Sequence, residues 1–166
     1  MRIYVPATVA MVETLRDEQT LHAPRGWAFA VTQALRDFYT SGDEEESADV
    51  AFDEAARTSL RLLTAYDGSQ PLRRVVLTFD VPDAAVVEAS DMGEATVRVE
   101  SALAVADLAA LHIDVRDAED AVAAGKEAID AAELGDEDAE LTVGDCLDIP
   151  LAWYDPSELG VVVELL

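Results

Sequence analysis

Basic side chains are nearly missing from this chain. Lys and Arg number 11 against 35 Asp and Glu, a formal charge of −24 at neutral pH, and Lys126 is the single lysine. A body so charged repels phosphate backbones, which excludes duplex nucleic acid as an expected partner. It also repels itself, so the compact state is expected where salt screens it; at molar salt the Debye length is about 3 Å. The cytoplasm of a halophile is such a setting. The rival reading, an acidic mimic of nucleic acid, wants acids along one helical stripe, whereas these are spread through helices and loops. With carboxylates this abundant, clusters such as Asp43 to Glu46 and Asp136 to Asp138 read as solvated helix starts and loops rather than metal or proton chemistry.

Cysteine is limited to Cys146, which excludes an internal disulfide and agrees with a reducing compartment. Set between Asp145 and Leu147, its thiol is expected to be a poor nucleophile. No run approaches the ~18 apolar residues of a membrane span. Met1 to Met11 lacks the long apolar core of a secretory signal, and Glu13 and Asp17 follow closely. The chain is therefore read as cytoplasmic, with no membrane partner. Phosphate-binding glycine loops, serine elbows and metal-ligand spacings are absent, so neither metal nor cofactor is expected. Glycine and proline are few, at 8 and 6, while 51% of residues are apolar. That is the composition of a packed globule, and 1–166 is read as one domain burying roughly 70% of its extended surface.

Periodicity supplies the elements. Arg2 to Pro6 alternates, with Ile3 and Val5 on one side, and Thr8 can cap a helix carrying Val9, Val12 and Leu15. After the turn at Pro24 to Gly26, Trp27, Phe29 and Val31 alternate as a short strand. Thr32 can cap a helix from Gln33 to Tyr39, and Ser41 to Glu44 has the spacing of a capping box for a longer helix. Its buried stripe is Phe52, Ala55, Ala56, Ser59, Leu60, Leu62 and Leu63, leaving Arg57 and Arg61 at the edge. Beyond Pro71 the period becomes two: Val75, Leu77, Phe79 and Val81 form a strand, as do residues 94–101 with Val97 and Val99 inward. Ala104 to Leu111 reads as a short helix or turn, and Leu111, Ile113 and Val115 as a strand. Asp117 to Leu134 is an Ala-rich helix ended by Gly135. Leu141 to Asp148 is ambiguous, Ile149 to Tyr154 is strand-like, and Val161 to Leu166 closes the chain as an apolar run suited to a strand.

This order predicts an α+β fold: a two-layer sandwich with a ferredoxin-like βαββαβ core, extra helices in the first crossover and a C-terminal extension. Strands covered on both faces should be continuously apolar, whereas these keep one polar side. The segments Met1 to Thr8, Ala28 to Arg36, Arg73 to Pro82 and Trp153-Tyr154 together resemble a family of small α/β proteins of actinobacteria and halophilic archaea with no known activity. The resemblance implies a shared fold and no chemistry.

Candidate site residues follow from strand parity. With the apolar residues inward, the other side of the sheet carries Arg2 and Tyr4, then Arg74, Thr78 and Asp80, then Thr96, Arg98 and Glu100, then His112, Asp114 and Arg116. Four of the ten arginines share that face, a comparatively positive patch on an acidic protein, able to take an anionic ligand or an acidic protein. The plainer alternative is that these arginines pair across strands with their own carboxylates. Trp153 is expected in the core and Tyr154 on the outer face; His22 lies in a loop, apart from His112. The leading functional reading is a non-catalytic binding or interaction module. The alternative is a small-molecule enzyme or anion-binding protein, with Tyr4, His112 or Tyr154 as acid/base candidates. A concave pocket would favour the second and a broad flat face the first. Residues 160–166, as an uncovered terminal strand, are expected either to complete the sheet or to pair two copies into a homodimer.

The charge yields the first prediction. In thermal melts across a potassium chloride series the melting temperature rises steeply between millimolar and molar salt; a flat series would remove salt screening as a condition of the fold.

Overall fold

In the computed structural model, which describes residues 1–166, the alternating segments form one seven-stranded sheet and the helical segments lie against both of its faces. The strands are β1 (Arg2–Ala7), β3 (Trp27–Phe29), β4 (Val75–Asp80), β5 (Val87–Glu88), β6 (Thr96–Arg98), β8 (Leu108–Ile113) and β9 (Ala152–Tyr154). The short β2 (Thr20–Leu21) and β7 (Leu103–Ala104) make a separate ribbon. The helices are α1 (Val9–Glu18), α2 (Gln33–Phe38), α3 (Glu44–Leu63), α4 (Glu119–Glu133), α5 (Glu137–Leu147) and α6 (Leu159–Leu165).

The fold is α+β, as the periodicity predicts. Strand order is β5-β6-β3-β1-β4-β8-β9, with every neighbouring pair antiparallel. This is not the ferredoxin-like order, in which a third strand separates the two joined by the first helical crossover. Here β1 and β4 are immediate neighbours along their whole length, from Arg2 opposite Asp80 to Ala7 opposite Val75.

Nor does the sheet have an open side. Ile3, Val5, Leu77, Phe79, Val97, Leu111 and Ile113 pack against Val9, Val12 and Leu15 of α1 and against Leu159, Val162 and Val163 of α6. On the opposite face Phe29 and Val76 meet Leu35 of α2 and Ala51, Ala55 and Ala56 of α3. Alanine at that contact lets α3 lie close on the strands, which is how a face read as polar comes to be covered. Further along α3, Leu60 and Leu63 join Val122 and Ile129 of α4 and Val143 and Cys146 of α5. Gly125 suits this close crossing: a Cβ would stand 3.0 Å from the Cys146 Cβ and 3.2 Å from Leu60 Cδ2, so a side chain there would push its neighbours apart by a few tenths of an ångström.

Several local expectations need correction. The closing run Val161 to Leu166 is helical and folds back on α1, so it offers no strand for pairing. A short apolar run does not distinguish strand from helix by periodicity alone. The α3 capping box is Asp43 with Glu46, two residues beyond Ser41 and Glu44, with Glu46 N–H donating to Asp43 Oδ1 at 2.9 Å and Asp43 N–H to Glu46 Oε2 at 3.1 Å. Within 104–111 the expected short helix is a single 3-10 turn at Val105–Asp107, while Leu108 to Leu111 already belong to β8, which ends at Ile113 rather than Val115. No helix is long and apolar enough to cross a membrane.

One polar contact bolts α3 to the sheet. Ser59, fully buried, donates its hydroxyl to the Ala7 carbonyl at 2.7 Å and accepts from the Val75 amide at 2.8 Å. Removing the hydroxyl orphans a buried donor and a buried acceptor together, so Ser59→Ala lowers unfolding free energy by about 2 kcal/mol. Urea unfolding in molar salt measures this, and a change below about 0.5 kcal/mol would mean that the bolt is dispensable.

Candidate functional site

Beside the close contact of α3 with the strands, a cavity of about 640 Å³ lies between helix and sheet. Its floor is set by strand register. Tyr4 on β1 stands opposite Thr78 on β4, which stands opposite Ala110 on β8; one step along, His112 on β8 stands opposite Trp153 on β9. Arg2 and Arg74 extend the same face at its two ends. One wall is α3, through Ala48, Asp49, Phe52, Asp53 and Ala56, whose spacing of one, three and four residues places them on one helix side. The other wall is the link from α5 to β9, Leu147 to Leu151.

At the inner end Arg74 and Asp114 form an ion pair with neither side chain exposed to solvent. Arg74 Nε donates to Asp114 Oδ2 at 2.8 Å and Nη2 to Oδ1 at 2.7 Å. The Arg74 amide adds a third bond to Oδ2 at 2.7 Å, and Nη2 also reaches the Ile149 carbonyl at 2.8 Å. Nη1 has no partner. Two more buried polar atoms on cavity-lining residues are also unpartnered, Thr78 Oγ1 and His112 Nδ1, so that three of the four such atoms in the chain sit on residues that line this cleft. The His112 ring lies 4.7 Å from Phe52, edge to face, and Phe52 lies 5.9 Å from Tyr4 in the same manner.

Sequence parity places Arg2, Tyr4, Arg74 and His112 on this face, and the structure brings all four into one cavity. The arginines, however, are committed. Arg2 makes a bidentate pair with Asp80 at 2.9 Å, and Arg74 is held by Asp114. Arg98 shares the face but sits on β6, two strands from β1, with its guanidinium over the Trp27 ring at 4.9 Å and Glu100 at 3.5 Å. Arg116 lies beyond the end of β8, in an exposed turn. Tyr154 and Trp153 exchange their expected roles: Tyr154, opposite Leu111, packs on the α1 and α6 side, while Trp153 is 59% exposed at the cleft rim. A one-residue change in strand register reverses every side chain, and the sequence of β9 does not fix that register.

Phe52, assigned to a buried stripe, is instead a cleft wall, and Asp49, Asp53 and Asp148 were hidden among the general acidity. The spacing of Asp49, Phe52 and Asp53 on one helix side is the signal that could have found them. His22 is exposed in its loop, and Cys146 is buried, its thiol pKa pushed up by that burial. No group of three or more His, Cys, Asp or Glu side chains is arranged to hold a metal ion.

The chain belongs to a family of unknown function, DUF6912, matched over residues 1–163. No curated protein and no solved structure matches it. What the cleft does must therefore come from its own chemistry.

Burial is the leading cause of the shift at three of its groups. Tyr4 is raised chiefly by desolvation, against the lowering effect of Arg2. Asp53, at the mouth, is raised first by partial burial and then by Asp49, with Arg74 opposing. For His112, desolvation lowers the pKa below the ordinary imidazole value near 6.5, leaving a neutral ring at neutral pH. The sign follows: the unfolded chain takes up a proton near pH 6.5 that the folded protein resists, so stability is lost as pH falls through that value. His112→Gln removes this contribution. Between pH 7.5 and 5.5 wild type is expected to lose a few tenths to about 1 kcal/mol more unfolding free energy than the variant, after solvent screening. Equal losses in urea titrations at the two pH values would place His112 in a solvated setting instead.

Proposed function

We propose that the cleft between α3 and the sheet is a binding site for a small polar organic molecule, and that the protein is a non-catalytic binding module acting through it. The observation that carries this reading is that Arg74, Thr78 and His112, each with a buried polar atom lacking a partner, line one cavity. A buried polar atom without a partner costs about 1–3 kcal/mol, and native chains hold few. A ligand offering hydrogen-bonding groups at the floor offsets that cost, whereas an apolar partner does not. The enclosing wall of α3 supports a small ligand over a broad protein interface, because the face is concave and not flat. Ser and Cys are absent from the cavity lining, and both of its arginines already hold carboxylates, which favours binding over acyl or phosphoryl chemistry. The setting in this reading is a salt-rich cytoplasm, on the strength of the −24 charge.

A thermal-shift screen of small polar compounds in molar potassium chloride tests the proposal against two cleft-filling variants, Ala110→Phe on the floor and Ala48→Trp on the wall. A true ligand at a hundredfold excess over its dissociation constant raises the wild-type melting temperature by about 5–10 °C. It leaves whichever folded variant fills the cleft unmoved. Compounds that shift wild type and both variants equally, or no shift by any compound, would reject the site.

A further inference from the structure

We infer that the ligand carries an organic ammonium group, together with an oxygen function able to accept hydrogen bonds. This rests on the reading of the cleft as a small-molecule site and specifies its occupant. Positive charge in the cleft is cancelled before any ligand arrives: Arg2 is matched by Asp80 and Arg74 by Asp114. Three further carboxylates line the cavity, Asp49, Asp53 and Asp148. None of them makes an ion pair, so an anion entering from solvent meets three unpaired carboxylates, offset only by Arg74 at longer range.

Acidity alone says little on a surface like this one, and two further observations give the charge a direction. The cavity is lined by the rings of Tyr4, Phe52, His112 and Trp153, the first three in a chain of edge-to-face contacts at 5.9 and 4.7 Å. Aromatic faces beside carboxylates attract cations that shed water easily, and quaternary ammonium groups are the usual beneficiaries. Arg74 and Thr78, 0% and 3% exposed, line the same cavity and each holds a buried polar atom without a partner just behind its surface. A donor of that kind is satisfied by a hydroxyl, carbonyl or carboxylate oxygen on the ligand. A cation at the mouth also relieves the repulsion between Asp49 and Asp53, which helps to hold the Asp53 carboxyl above its ordinary range.

High salt sharpens the selection. Screening at molar potassium chloride weakens the long-range pull of the carboxylates on any cation, hydrated potassium included. Contact with ring faces and apolar walls is not screened, so an ammonium bearing methyl groups keeps an advantage that a small hydrated ion lacks.

Trp27→Phe leaves Trp153, at the rim, as the sole tryptophan and a local fluorescence reporter. In molar potassium chloride this protein is titrated with choline, with its uncharged carbon isostere 3,3-dimethylbutan-1-ol, and with inorganic phosphate. Choline is expected to give a saturable change, the alcohol to bind at least about tenfold more weakly, and phosphate to give none. Asp53→Asn and Phe52→Leu, each checked for folding by circular dichroism, should each weaken choline about tenfold. Alcohol or phosphate binding as tightly as choline, no saturation by choline, or full affinity in both variants overturns the inference. If choline fails while a neutral or anionic compound from the screen is displaced by cleft filling, the cleft remains a binding site and only its ammonium character falls. If nothing engages the cleft, both fall.

Discussion

The bidentate contact between Arg74 and Asp114 is the constraint around which the cleft is arranged. Arg74 immediately precedes β4 and Asp114 immediately follows β8, and the pair extends the ladder one step past Val75 opposite Ile113. The Asp114 amide donates back to the Arg74 carbonyl at 3.0 Å, so side chains and backbone close the same ring. Through Nη2 the guanidinium also grips Ile149, in the link that leads to β9. Three segments far apart in sequence are thus fastened at one buried point, and that link is one wall of the cleft. Desolvating two charges offsets much of their attraction, so a pair like this contributes more to fixing one arrangement than to raw stability. Its value here is positional: it holds the floor and one wall of the cavity in a set relation.

Surface charge works differently. Arg57 to Glu140, Arg61 to Asp130 and Arg73 to Glu119 join α3, α5, α4 and the approach to β4, and all have at least one solvent-exposed partner. Exposed pairs contribute about 0–1 kcal/mol each and weaken as salt rises. The salt that relieves repulsion among 35 acids therefore also weakens these staples. What salt does not reach is the apolar packing on both sheet faces and the sealed Arg74–Asp114 pair.

Much of the cleft floor was legible in the sequence. Period-two parity put Arg2, Tyr4, Arg74, Thr78 and His112 on a common face, and they are there. What parity cannot tell is whether a face is open, and α3 covers this one because Ala51, Ala55 and Ala56 permit close approach. The plainer reading of the arginine patch, pairing with local carboxylates, describes Arg2, Arg74 and Arg98. Strand order stayed hidden because it depends on long-range pairing, not local period; the place of β4 beside β1 is set by packing and by the Ser59 bolt. Errors at β9 and α6 come from short segments, where a few residues carry too little pattern to fix register or helix against strand.

The tight crossing of α4 over α5 turns the lone thiol into a clock. Cys146 is sealed against Gly125 and Leu60, so a reagent meets it only when the two helices part. Its rate of alkylation counts those openings, in the way that amide exchange counts the opening of a backbone hydrogen bond. The last residue of α5, Leu147, begins the link gripped by Arg74, so the sulfur sits where α5 passes into one wall of the cavity. A single buried sulfur, next in sequence to Leu147 of the cavity wall, thereby reports on how firmly that wall is held.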